Sequence, residues 1–237
     1  MAEKKDREPA GREKSGKGEH NGRRIGIMGG TFDPIHIGHL LIAQAALEEL
    51  SLDRVLFIPT GCSYLKEGRQ IADREDRYRM TALAVGDHPQ FAVSRMEIDR
   101  PGNTYTADTL RILHEEVPAD TFYLLMGADS FCMLDQWREP ETICKLATLV
   151  CAERSDEENT HADTPLVHPV RGRTPETQRD LLAERFGAKS VILSVGRMDV
   201  SSSDIRARIA AGKSVKYLLR DPVIDYIREH GLYRENS

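Results

Sequence analysis

No apolar run in this chain of 237 residues approaches the roughly 20 residues that cross a bilayer as a helix, so an integral membrane protein is not expected. A basic excess is missing too. Thirty-three Lys and Arg stand against 38 Asp and Glu, a net charge of -5, where a dedicated nucleic-acid binder would carry a strong positive balance. The first residues are charged throughout and contain no apolar h-region, so a secretory leader is not expected. Cysteine is sparse: Cys62, Cys132, Cys144 and Cys151 form no Cys-x-x-Cys pair and match no zinc spacing. They read as small core or loop residues, reduced as in a cytoplasmic protein.

At about 150 residues per domain, the length allows one large domain or two small ones, with a substantial core. Residues Met1 to Gly22 hold almost no apolar side chain and are rich in Lys, Glu and Gly. Such a stretch cannot bury enough surface to offset ordering and is expected to be a disordered tail. Its charges are mixed in sign, which favours a solvated tail over a nucleic-acid arm. The remainder, residues 23–237, is expected to form the working domain.

From Arg23 the pattern alternates between buried strands and helices. Strands are expected at Arg23 to Met28, Arg54 to Ile58, Phe91 to Ile98, Phe122 to Met126, Thr148 to Ala152 and Ser190 to Leu193. Helices are expected at Ile37 to Leu50, Asp73 to Val85 (Asp73 as N-cap) and Thr106 to Glu116. Thr174-Pro175-Glu176 opens another, running to about Phe186. Ser202 to Ala211 and Pro222 to His230 are closing helices, the last with Asp221 as cap and Gly231 as stop. Glu153 to Arg173 reads as a long surface loop. Alternation of this kind predicts an α/β, Rossmann-like doubly wound fold, with a mostly parallel sheet and C-terminal helices. Ligands in such folds sit beyond the carboxyl ends of the strands, at a topological switch point.

The loop after the first strand reads Gly29-Gly30-Thr31-Phe32-Asp33-Pro34-Ile35-His36-Ile37-Gly38-His39. Paired glycines let backbone N–H groups converge on an anion, and the following helix adds the positive end of its dipole. His36 and His39, three apart, face the same side of the helix start and can donate to phosphate oxygens. Half of a metal site, or a core histidine satisfied by a carbonyl, are the competing readings. No third metal-ligand motif is recognisable nearby, and the glycine-rich lead-in favours phosphate.

This segment resembles the signature of the nucleotidyltransferase superfamily with a (His/Thr)-x-Gly-His motif, in its bacterial nicotinate mononucleotide adenylyltransferase branch. The chain is too short for the class I aminoacyl-tRNA synthetases, which share a His-Ile-Gly-His, and has no Lys-Met-Ser-Lys-Ser segment. Val200-Ser201-Ser202-Ser203-Asp204-Ile205-Arg206 is similar to the family's Ile-Ser-Ser-Thr-x-Ile-Arg. Thr104-Tyr105-Thr106-Ala107-Asp108-Thr109-Leu110 resembles its Thr-Tyr-Thr-x-x-Thr-Leu, and Gly127-Ala128-Asp129 its Gly-x-Asp. Lys66 is in register with the family's Pro-Pro-His-Lys, although Ser63-Tyr64-Leu65 stands in place of Pro-Pro-His.

The resemblance covers about Arg23 to Tyr233 and implies transfer of AMP from ATP to nicotinate mononucleotide, giving deamido-NAD and pyrophosphate. It implies catalytic roles for His36, His39 and Arg206. ATP contacts would come from Gly29, Gly30, Thr31, Phe32, Ser202 and Ser203. Lys66, Tyr105, Thr106, Asp129 and Trp137 would bind substrate, with Tyr105 and Thr106 amides reading the nicotinate carboxylate and Trp137 stacking on the pyridine ring. Mg²⁺ would arrive with ATP, and no protein metal site is expected. Partners would be these small molecules, with no nucleic acid or membrane, while the sequence leaves a homo-oligomer open. The alternatives are a related transferase using nicotinamide mononucleotide or another phosphate acceptor, and a non-catalytic nucleotide sensor.

Overall fold

A computed structural model describes residues 22–62, 71–155, 172–196 and 200–234, without the side chains of residues 154 and 155. The expected tail (residues 1–21), Lys66 and most of the expected surface loop lie outside the described residues.

Six strands form one sheet: β1 (Arg24–Gly30), β2 (Arg54–Pro59), β3 (Phe91–Val93), β4 (Thr121–Gly127), β5 (Ala147–Ser155) and β6 (Ser190–Gly196). Every pairing is parallel, in the order β3-β2-β1-β4-β5-β6. The chain builds outward from β1 in one direction, then returns to build outward in the other. The switch point therefore falls between β1 and β4.

The helices are α1 (Ile37–Glu49), α2 (Arg74–Val85), α3 (Thr106–Glu116), α4 (Ala128–Phe131), α5 (Pro140–Leu146), α6 (Pro175–Phe186), α7 (Ser202–Ala210) and α8 (Asp221–Glu229). They divide between the two faces of the sheet. Successive strand side chains point to opposite faces, which splits the core in two. Met28, Val55, Phe57, Tyr123 and Leu125 pack with α1, α2, α7 and α8. Ile25, Ile27, Ile58, Phe122 and Leu124 pack with α3 to α6. Apolar residues are continuous along the strands because both faces are covered.

Several boundaries differ from the sequence expectation. The strand expected over Phe91 to Ile98 pairs only through Val93, after which Asp99 N–H donates to the Arg95 carbonyl in a turn. That turn buries Glu97 and Ile98 instead of placing them on a sheet edge. β5 runs on to Ser155, because its last residues pair with Ser194 to Gly196 of β6. Asp221 is the first helical residue of α8 rather than its cap, a position held by Arg220. The pattern also passed over α4, α5 and a 3₁₀ turn at Leu134–Gln136, pieces too short to show a helical period.

Candidate active site

β1, β2 and β4 end around one cavity of about 340 Å³, at the switch point. Gly29, Gly30, Thr31 and His39 line one side, and Tyr105, Thr106, Trp137 and Arg138 another. Seven sequence candidates thus meet in one space, although the segments carrying them lie far apart in the chain. Trp137 is half-buried at the end of the 3₁₀ turn, in extended backbone rather than within a helix. The Tyr105 ring lies under the Arg138 guanidinium, 4.4 Å from its centroid, at the N-terminus of α3.

α1 opens at His36, whose extended backbone makes it the N-cap. Its backbone N–H donates to Nδ1 of His39 at 3.2 Å, and the two rings stack with centroids 3.8 Å apart. With Nδ1 accepting, the neutral His39 ring carries its proton on Nε2. Phe32 meets His39 edge to face, with ring centroids 5.1 Å apart. Two glycines make room for this stack. A Cβ on Gly38 would come within 3.1 Å of the His36 ring, and one on Gly30 within 3.0 Å of the Phe32 ring.

Phe32 is buried, with a left-handed φ of 50°. It therefore turns the loop as a packing residue and does not line the cavity. The N-terminus of α7 closes on the same loop. The Ser202 hydroxyl donates to the Pro34 carbonyl at 2.9 Å, and Arg206 Nη1 to the Asp33 carbonyl at 2.7 Å. Ser203 Oγ accepts from Arg206 Nη2 at 3.3 Å. Ser201 caps the helix by accepting from the Asp204 N–H. His36, Ser202, Ser203 and Arg206 border the loop rather than the cavity. Asp129 is exposed on α4 and does not line the cavity either.

Three buried polar residues in this region were not singled out by the sequence reading. Arg77 of α2 is 4% exposed and donates to the carbonyls of Thr31 (2.7 Å), Gly61 (2.9 Å) and Ala72 (3.1 Å). It ties the loops after β1 and β2 to the start of α2, and burial pulls its pKa down. The Asp33 carboxylate accepts from the phenol of Tyr233 at 2.7 Å. Glu97 lines the cavity wall, accepts from the Thr109 hydroxyl at 2.6 Å, and has its pKa raised by burial. In the sequence, Arg77 sits in a run of charges that looks solvated, and Glu97 in a segment that looks like a strand. The Asp33 in the glycine-rich loop was the available signal for this buried network.

A nucleotide-sized cavity at the switch point of a parallel sheet, with two helix N-termini drawn to one glycine-rich loop, defines a nucleotide-binding α/β protein. The cytidylyltransferase-like family model matches residues 27–208. A protein of Lachnoclostridium phytofermentans named "Probable nicotinate-nucleotide adenylyltransferase" is 39% identical over 211 residues, 89% of this chain and 99% of that one. A Roseiflexus protein of the same name is 42% identical, over 89% of this chain and 98% of its own. The chain belongs to the cytidylyltransferase-like family, among the nicotinate-nucleotide adenylyltransferases. The fold is also that of the Plasmodium falciparum nicotinic acid mononucleotide adenylyltransferase complexed with NaAD, at a TM-score of 0.68 and 20% identity, covering 89% of this chain and 97% of that one. Among the described residues, no helix is long and apolar enough to cross a membrane.

Proposed function

We propose that the chain carries out the reaction of the relatives it matches, moving the adenylyl group of ATP onto nicotinate mononucleotide in NAD biosynthesis. The observation that carries the reading is His39. It borders both the cavity lined by Tyr105, Thr106 and Trp137 and the loop gripped by α7. A phosphate at His39 would lie between an acceptor's ring and the ATP phosphates.

The phosphate oxygen of the mononucleotide is already ionised, so no general base is required. It bonds to the α-phosphorus of ATP while the bond to the bridging oxygen breaks, and pyrophosphate leaves with that electron pair. Catalysis then rests on alignment and on donors placed where charge develops. His39 Nε2–H and the α1 N-terminus serve the α-phosphate. Arg206 and the α7 N-terminus serve the leaving pyrophosphate, and Lys66 is assigned a phosphate contact by its register. Asp129, exposed near the end of β4, is assigned to a ribose hydroxyl. Mg²⁺ would enter as part of the MgATP substrate and neutralise phosphate charge there; Asp33, the carboxylate beside Arg206, is already committed to Tyr233 and Ala72.

The acid is favoured over the amide because backbone N–H groups at the α3 N-terminus match a carboxylate and oppose an NH₂ donor. The test is turnover of nicotinate and nicotinamide mononucleotides with MgATP. A preference for the acid of at least about 10²-fold in kcat/KM is expected. Equal turnover overturns the acceptor assignment, and adenylyl transfer to neither overturns the reaction.

A further inference from the structure

Asp33 is 3% exposed, and its carboxylate is held from two sides. Oδ1 accepts the Tyr233 hydroxyl at 2.7 Å and the Ala72 backbone N–H at 3.2 Å. Oδ2 lies 3.6 Å from Arg206 Nη1. That contact is an ion pair, looser than a direct charge-assisted hydrogen bond of about 2.7–2.9 Å. The same Nη1 donates to the neutral Asp33 carbonyl at 2.7 Å. Arg206 is therefore fixed at the loop by a carbonyl, with its pairing to the neighbouring carboxylate left loose.

The donor on Oδ1 comes from the far end of the chain. Tyr233 follows α8 with a left-handed φ of 63°, a conformation that bulky residues adopt at a cost. Its ring packs against the core on the α2 and α8 side of the sheet, and its hydroxyl lies 3.9 Å from Met80 Sδ as well as against Asp33. Packing and hydrogen bonding together hold this unfavourable backbone, and both deliver the hydroxyl to one buried oxygen.

We propose that Tyr233 is a positioning residue for adenylyl transfer: its hydroxyl occupies the Asp33 carboxylate and so keeps Arg206 available to the phosphates of ATP. The proposal rests on the phosphate role assigned to Arg206 above. Without that hydroxyl the buried carboxylate is short of a donor. It regains one by drawing in the Arg206 guanidinium across the 3.6 Å gap. The tightened ion pair competes with the triphosphate for the guanidinium.

The test compares Tyr233→Phe, Arg206→Gln and the double variant in the full chain. Two quantities are measured: KM for ATP, and affinity for inorganic pyrophosphate by calorimetry. Tyr233→Phe keeps the packed ring and removes only the hydroxyl. It is expected to raise KM for ATP and weaken pyrophosphate binding by about 10- to 100-fold, the size of one hydrogen bond to a charged group. KM for the mononucleotide should stay unchanged, and in the Arg206→Gln background the substitution should do nothing further. Unchanged ATP and pyrophosphate constants with only a lower Tm would reduce Tyr233 to a structural residue, and equal losses in both backgrounds would also overturn the proposal. If Tyr233→Phe does not fold, Asp33→Asn removes the competing anion; a KM for ATP no higher than wild type is expected, and a higher one overturns the proposal. Pyrophosphate binding needs no acceptor, so a wrong acceptor assignment would appear as absent turnover with the pyrophosphate comparison intact.

Discussion

The backbone N–H of His36 donates to Nδ1 of His39, and that one bond, 3.2 Å long, places the proton of the neutral His39 ring on Nε2. The neighbouring stacked ring and the edge of Phe32 then fix its plane. A donor held this way needs no reorganisation when charge develops on a phosphate.

His39→Ala is therefore expected to lower kcat by about 10²–10³ while the fold persists. Steady-state kinetics at saturating ATP, with a melting curve of the same preparation, check this. A near wild-type kcat would remove His39 from the chemistry.

Trp137 lines the cavity, and in the proposed role its ring stacks on either mononucleotide alike, since an aromatic face does not distinguish a carboxylate from an amide. Trp137→Ala should raise KM for both by a similar factor, about tenfold for the loss of one aromatic stack of roughly 1.4 kcal/mol. The ratio of kcat/KM between acid and amide should survive. A collapse of that ratio would mean that the indole, rather than the α3 N-terminus, selects the acid.

Arg77 bonds to three backbone carbonyls, on Thr31, Gly61 and Ala72, so its removal leaves one buried and two half-buried acceptors short of a donor. Arg77→Met is expected to destabilise by about 2–4 kcal/mol, read from the midpoint of urea unfolding. Arg77→Lys should recover little, because a single ammonium cannot span the planar fork that these carbonyls fit. Full recovery by Lys would show that charge, not geometry, is what the loops need.

Glu97 supplies a pH dependence. Burial raises its folded pKa above the ordinary value of 4.5, so the folded state holds the proton more tightly than the unfolded one. Stability from this group is greatest below pH 4.5 and is lost as pH rises through the folded pKa. Glu97→Gln keeps an acceptor for Thr109 and removes the titration. The variant's Tm should gain on the wild type as pH rises from about 4.5 to 8, and a gain independent of pH would contradict the assignment.

Much of this architecture was legible because periodicity and caps coincide. α3 begins and ends at Thr106 and Glu116, and α2 follows the Asp73 cap, as the pattern requires. β3 was overestimated because Phe91 to Ile98 is apolar enough for a strand, while only the pairing with β2 decides where a strand stops. The candidate residues around the cavity were found through motifs whose chemistry is local. Arg77 and Tyr233 were missed because their significance depends on partners 46 and 200 positions away. Nothing in a local window separates a buried arginine on a charged helix from a solvated one.

The bond between Asp33 and Tyr233 also sets the order in which a working enzyme comes into being. Synthesis runs from the N-terminus, so the phosphate loop is among the earliest folded parts to be made, while its tyrosine partner is made 200 residues later. A nascent chain can pair β1 with β2 and close α1 long before that. It cannot complete the loop until the turn after α8 has been made and has docked beside α2. Chains that stop short of Tyr233 should thus use ATP poorly, with a KM for ATP raised as in Tyr233→Phe.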